Sequence, residues 1–128
     1  MILDSNIIIY SVQPTYSTLQ AYLLYRINSL YVSEITKLEV LGFPRLNEAD
    51  KEYFDDIFSS VNILSVTSEI IDEAVRLRQQ RKRSLGDSII AATALVHNLP
   101  VVTNNVTDFS TVEGLTVISL EAILAGTA

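Results

Sequence analysis

The chain has 128 residues, of which 48% are hydrophobic, so it can bury one core but has no room for a second domain, and we predict a single domain over residues 1–128. It has no cysteine, which excludes disulfides and thiolate zinc sites and suits a reducing cytoplasm. Its net charge of −6 argues against nucleic-acid binding over the whole surface. Because it shows no signal peptide and no apolar run of the ~18 residues that a membrane span needs, we expect a soluble, cytoplasmic protein.

Five short apolar segments predict the strands of a sheet. They cover residues 1–4, 30–32, 61–66, 100–103 and 116–118. Most of them lack alternation with polar residues, which is typical of strands that are covered on both faces in a parallel sheet. Because helical segments lie between them, the chain is predicted to be α/β, with three α/β/α layers around a central, mostly parallel sheet of four to five strands.

Polar capping residues mark the starts of three helices between these strands. Ser33 is predicted to cap the helix after the second strand, and Asn47 caps the next helix. Thr67 or Ser68 is predicted to cap a helix that runs to about Arg83. The apolar stripe of this last helix is predicted to comprise Ile70, Ile71, Ala74, Val75 and Leu77.

Four acidic residues fall near the predicted carboxyl ends of strands, which is where open α/β sheets bind ligands. Asp4 ends the first strand, and Glu39 lies in the helix after the second. Asp87 follows Gly86 at the start of an Ala-rich helix, 88–97, and Asp108 follows the fourth strand. Three of them also have an ordinary interpretation. Asp87 can be a helix cap, and Asp108 can be a turn residue. Glu39 can lie on a narrow stripe that faces solvent instead of facing a polar cleft.

Asp4 is the most informative of these residues, because it interrupts an apolar stretch, 1–9, and has no Lys or Arg beside it. A buried carboxylate without a cationic partner is unfavourable unless it binds a metal ion. Two carboxylates about 4 Å apart repel by roughly 4 kcal/mol at an effective dielectric constant of about 20, so a cluster of them needs protons or a cation. Since the chain offers oxygen donors and a single histidine, His97, the expected cation is Mg²⁺ or Mn²⁺.

Five of the nine Lys and Arg residues lie between residues 76 and 83, so an acidic chain carries one concentrated basic segment. One interpretation is a solvated helix end, where cations are favourable beside the C-terminal end of the helix dipole. The other is contact with the phosphate groups of a nucleic acid. The candidate phosphate-binding residues are Arg76, Arg78, Arg81, Lys82 and Arg83.

Four segments of the sequence, in this order, resemble the motifs of PIN-domain ribonucleases. Residues 2–10, Ile-Leu-Asp-Ser-Asn-Ile-Ile-Ile-Tyr, resemble the first strand and its Asp-Thr/Ser-Asn motif, and residues 32–40 resemble the second strand and the helix that bears the Glu. Residues 86–94, Gly-Asp-Ser-Ile-Ile-Ala-Ala-Thr-Ala, resemble the third motif, and residues 102–109 the last. Each motif is weak alone, but the ordered set spans nearly the whole chain and resembles the VapC-type toxins of toxin–antitoxin pairs.

The resemblance implies a set of site residues. Those implied for metal binding and catalysis are Asp4, Glu39, Asp87 and Asp108, with Ser5 assisting the first Asp and with Asn6 and Thr103 in supporting roles. The family often has Asp or Asn two residues after that Thr, where this chain has Asn105. Either Asp108 or Asn105 therefore completes the site, and the basic segment would hold the flanking phosphates of RNA.

The activity implied by the resemblance is Mg²⁺- or Mn²⁺-dependent endonucleolytic cleavage of RNA such as tRNA. The family also implies a homodimer and a cognate antitoxin protein that silences the enzyme.

Two other interpretations compete with this one. A PIN-like module without activity, which binds RNA or protein, is disfavoured because a site without function gains stability when it loses its acidic residues. Phosphoryl transfer through an aspartyl nucleophile, as in phosphatases whose first strand ends in Asp-x-Asp, is disfavoured because Asn6 stands where the second Asp would act as an acid.

Overall fold

The computed structural model describes all residues, 1–128, and contains five strands, eight α-helices and two single-turn 3-10 helices (Pro14–Tyr16 and Ile27–Ser29). The strands are β1 (Ile2–Leu3), β2 (Tyr31–Ser33), β3 (Asn62–Leu64), β4 (Val101–Thr103) and β5 (Val117–Ser119). The helices are α1 (Ser5–Ser11), α2 (Ser17–Tyr25), α3 (Glu34–Leu41), α4 (Glu48–Ser60), α5 (Ser68–Gln80), α6 (Leu85–His97), α7 (Val106–Ser110) and α8 (Leu120–Leu124). None of the helices combines the length and apolarity that a membrane span requires.

The strands form one sheet in the order β3-β2-β1-β4-β5, and every neighbouring pair is parallel, so the predicted α/β class and parallel sheet are confirmed. Successive strand residues point to opposite faces. Ile2 and Val101 pack into a core with α5, α6 and α7, whereas Leu3 and Val102 pack into a core that includes α1, α2, α4 and α8. The sheet is thus the middle of three layers. The two edge strands depart from the prediction of burial, since Ile63 of β3 is 37% exposed and the residues of β5 are only half-buried.

The predicted helix caps at Ser33, Asn47 and Thr67 are confirmed, because each side chain accepts a hydrogen bond from a backbone N–H in the first turn. Helix α6 begins three residues earlier than predicted. Ser84 caps it by accepting a hydrogen bond from the backbone N–H of Asp87. Asp87 therefore lies in the first turn of the helix, so its interpretation as the cap is wrong.

Helix α5 is shorter and its apolar stripe narrower than predicted. The helix ends at Gln80 because Arg81 has an extended backbone (φ −165°, ψ 163°), so the chain leaves the helix three residues before Arg83. Two members of the predicted stripe, Ile71 and Val75, are 43% and 50% exposed. The buried members, Ile70, Ala74 and Leu77, are spaced by four and three residues and so share one face of the helix. Ile71 and Val75 directly follow two of them and are therefore turned away from that face.

Candidate active site

Parallel strands bring the candidate site residues to one edge of the sheet. Asp4 directly follows β1, Thr103 is the last residue of the neighbouring strand β4, and Glu39 lies in the helix that begins immediately after β2. Asp87 lies in the first turn of α6, which packs against both α3 and α5. Side chains that are distant in the sequence thus surround the carboxyl ends of the central strands, where α/β sheets bind ligands.

Asp4 is buried without a cationic partner. It is 4% exposed, and its Oδ2 accepts a hydrogen bond of 2.8 Å from the Thr103 hydroxyl. The ion pairs of the chain, Lys51–Asp55 and Arg76–Glu73, are elsewhere. Burial raises the pKa of Asp4 to about 6, and although the hydrogen bond from Thr103 opposes this shift, repulsion from Asp87 and Glu39 adds to it.

The carboxylate of Glu39 lies between Ser5 of α1 and Gly86 of α6, while the residue as a whole is exposed, so it borders the polar cleft and also faces solvent. The Ser5 hydroxyl donates a hydrogen bond of 2.7 Å to Glu39 Oε1 and lies 3.2 Å from the hydroxyl of Thr36. On the other side, a Cβ built on Gly86 would lie only 2.8 Å from Glu39 Oε2. The glycine therefore makes room for the carboxylate beside Asp87.

Asp87 is half-buried, and it is repelled by Asp108 and Glu39 as well as by Asp4. Burial raises its pKa, hydrogen bonding to Ser84 opposes the shift, and the charges of Asp108 and Glu39 add to it. Asp87 and Asp108 line the same cavity of about 470 Å³. The four predicted acidic residues thus form one group of carboxylates that repel each other, and Asp108 belongs to it because it repels Asp87.

Asn105 and Asn6 have a smaller part in this arrangement. The backbone N–H of Asn105 donates a hydrogen bond of 2.9 Å to the Thr103 hydroxyl, while its side chain is exposed. Asp108 lies in α7 instead of a simple turn, and it shares a cavity with Asp87. Of the two residues proposed to complete the site, Asp108 is the one that faces another carboxylate. Asn6 is exposed in α1.

Two supporting hydroxyls were missed by the sequence interpretation. Thr36 is fully buried beside Ser5, and nothing local in the sequence marks it as a partner of a residue 31 positions away. Ser84, in contrast, carries a signal, because Ser-x-x-Asp before an apolar run is a helix-capping pattern. That pattern would have placed Asp87 inside the helix.

The donor set fits a hard divalent cation that retains water. All the donors are oxygens, and their mutual repulsion is not neutralised by an ion pair. No three acidic or histidine side chains are grouped so that they could hold a metal ion between them. Mg²⁺, however, usually keeps several waters and needs only one or two carboxylates from the protein, so pairs drawn from this set suffice.

Several solved structures are similar to this chain. A chain of the toxin–antitoxin complex from Klebsiella pneumoniae is 29% identical, with a TM-score of 0.72 over 91% of this chain and 94% of that chain. FitAcB from Neisseria gonorrhoeae is 25% identical, with a TM-score of 0.74 over 91% and 95%. VapBC2 from Rickettsia felis, bound to a promoter DNA fragment, shares the fold at 20% identity, with a TM-score of 0.79 over 92% and 96%. No curated protein matches the chain significantly.

A family model described as the PIN domain matches residues 1–115. The matched range contains strands β1 to β4, the four acidic residues and Thr103. Strand β5 lies beyond it, although it pairs with β4 in the same sheet. The match thus includes the acidic edge of the sheet, by which we mean Asp4, Glu39, Asp87 and Asp108. Because the match covers most of the chain, the chain belongs to the PIN-domain family.

Proposed function

We propose that the chain is a Mg²⁺- or Mn²⁺-dependent endoribonuclease. The observation that carries this proposal is the buried carboxylate of Asp4, which is repelled by Asp87 and Glu39 and has no cationic partner. Such an arrangement destabilises the fold, and a divalent ion relieves the repulsion. The PIN-domain match supports nuclease activity.

The side chains at the sheet edge suit this chemistry. A pair of carboxylates drawn from Asp4, Glu39 and Asp87 would hold the ion together with water, and Asp108 lies beside Asp87. A bound divalent ion lowers the pKa of an attacking water and stabilises the departing oxygen of a phosphodiester. Thr103 and Ser5 each hold one oxygen of a carboxylate by a hydrogen bond, so the other oxygen is presented in a fixed orientation. Hydrolysis would leave a 5′-phosphate and a 3′-hydroxyl.

The proposal includes a role as the toxin of a VapBC-type toxin–antitoxin pair. It is supported by the likeness to a chain of the toxin–antitoxin complex from Klebsiella pneumoniae. The partner would then be a cognate antitoxin protein, and we propose that the toxin forms a homodimer and acts in the cytoplasm.

The purified protein is expected to cleave RNA in Mn²⁺ or Mg²⁺ and to be inactive in EDTA. The measurement uses a panel of tRNAs and single-stranded RNAs, with identification of the new termini. RNA binding that EDTA leaves unchanged, together with no cleavage in either metal, would instead favour the inactive binding module. Hydrolysis of a small aryl phosphate would favour the phosphatase alternative.

Replacing Gly86 with Ala is expected to reduce cleavage roughly 10- to 100-fold while the free energy of unfolding changes by no more than about 1 kcal/mol. The new methyl group would lie 2.8 Å from Glu39 Oε2, and this end of a flexible side chain can move away without unfolding α6. The displaced carboxylate then loses its fixed contact with Ser5. Cleavage rates and urea denaturation of both proteins test this expectation, and wild-type activity in the variant would contradict it.

A further inference from the structure

The basic segment between residues 76 and 83 divides into separate parts in the structure. Arg76 forms an ion pair with Glu73 on the same helix and lines a different cavity, together with further acidic residues of α5. Its charge is therefore already neutralised by Glu73, at a place distant from the acidic edge. We exclude Arg76 from the phosphate-binding candidates.

Arg83 uses its guanidinium group to bind other parts of the same chain. Its Nε donates a hydrogen bond to the carbonyl oxygen of Leu77, and its Nη1 donates to the carbonyl oxygen of Asp108 and to the Thr111 hydroxyl, at 3.0 to 3.2 Å. Its own carbonyl accepts a hydrogen bond from Arg78 Nε. Arg83 therefore ties the end of α5 and the following loop to α7, the helix that carries Asp108.

Three cations remain available beside the carboxylates. Arg78, Arg81 and Lys82 are exposed, and none of them forms an ion pair. All three line the cavity of about 470 Å³ that also contains Asp87 and Asp108, and no hydrophobic side chain lines it. The cavity therefore combines side chains that attract anions with carboxylates that attract cations.

We propose that Arg78, Arg81 and Lys82 bind a backbone phosphate of RNA next to the cleaved bond, and that Arg83 is the positioning residue that holds this site against α7. The inference rests on the proposed function, since it places the RNA strand relative to the acidic edge. Because no aromatic residue on which a base could stack lines the cavity, we expect it to recognise the backbone and not the base sequence. It contributes affinity and orientation.

The double variant Arg81→Gln/Lys82→Gln tests the phosphate site. Binding of fluorescein-labelled poly(U) RNA is measured by anisotropy in EDTA, where cleavage does not interfere. We expect the Kd to rise roughly tenfold, and the slope of log K against log salt to become shallower by about 0.7 for each phosphate that the variant no longer neutralises. Arg76→Gln, which removes a charge from the same basic segment, is the matched control and should bind like the wild type.

Arg83→Lys tests the positioning role, because Lys keeps the charge but lacks the planar fork of donors that reaches three acceptors. We expect kcat for RNA cleavage to fall roughly tenfold, with a smaller change in KM and an unaltered circular dichroism spectrum. If Arg83 only supplied charge, Arg83→Lys would behave like the wild type, and that result would overturn the positioning role.

The outcomes separate this inference from the proposed function. If the wild type cleaves RNA but the double variant binds poly(U) as tightly as Arg76→Gln does, the phosphate site is refuted and the nuclease remains. If the wild type fails to cleave RNA in Mn²⁺ but the double variant still shows weaker binding and a shallower salt slope, the nuclease is refuted and the phosphate site remains.

Discussion

Asp4→Asn is expected to lower Mn²⁺-dependent RNA cleavage by at least about a hundredfold, since even residues that only support metal ligands typically contribute 10- to 100-fold. The substitution removes a negative charge from the centre of the acidic edge but keeps an oxygen that can accept the hydrogen bond of Thr103. The loss should therefore reflect chemistry and not misfolding. Initial rates with the preferred RNA in saturating Mn²⁺ measure it.

Asp56→Asn is the matched control for this experiment. Asp56 is an exposed residue of α4, so the same change of charge occurs away from the sheet edge. Its rate should equal that of the wild type. Undiminished cleavage by Asp4→Asn would remove Asp4 from the catalytic site and, with it, the central observation behind the nuclease proposal.

In EDTA the same Asp4→Asn substitution should stabilise the protein by about 3 kcal/mol above pH 6. The pKa of Asp4 is raised from its ordinary value of 3.8 to about 6, so the folded protein holds this proton more tightly than the unfolded chain does. The ionised carboxylate therefore destabilises the fold at neutral pH, by about 1.4 kcal/mol for each pKa unit. As the pH falls from about 6 to about 4, this penalty disappears.

Urea denaturation of both proteins between about pH 8 and about pH 4 measures the effect. The comparison isolates Asp4, because the other carboxylates titrate in both proteins. Glu73 is an example: hydrogen bonding to Arg76 lowers its pKa, so the stability it contributes is lost at low pH in the wild type and in the variant alike. The difference in unfolding free energy should shrink toward low pH. A difference that does not depend on pH would show that the Asp4 carboxylate is not penalised in the folded protein.

Mg²⁺ provides an independent readout of the same site. A ligand that binds only the folded state at 100 times its Kd stabilises by about 2.7 kcal/mol. Saturating Mg²⁺ should therefore raise the stability of the wild type and have less effect on Asp4→Asn. Equal stabilisation of both proteins would place the bound ion elsewhere.

The sequence by itself determined what depends on neighbouring residues. Apolar runs predicted all five strands and the parallel sheet, and hydroxyl and amide side chains predicted the starts of α3, α4 and α5. These features follow from local burial and local hydrogen bonding, which a short stretch of chain contains in full. The ordered motifs predicted the PIN-domain family, which the family match confirms.

Only the tertiary structure decided which side chains meet. Thr103 holds Asp4 across 99 residues of sequence, and Ser5 holds Glu39 across 34. Likewise, five similar cations in one short segment acquire different roles because Arg76 pairs within α5 while Arg83 reaches α7. Such contacts depend on how helices pack on the sheet, which is set by long-range burial, so no local pattern of residues encodes them.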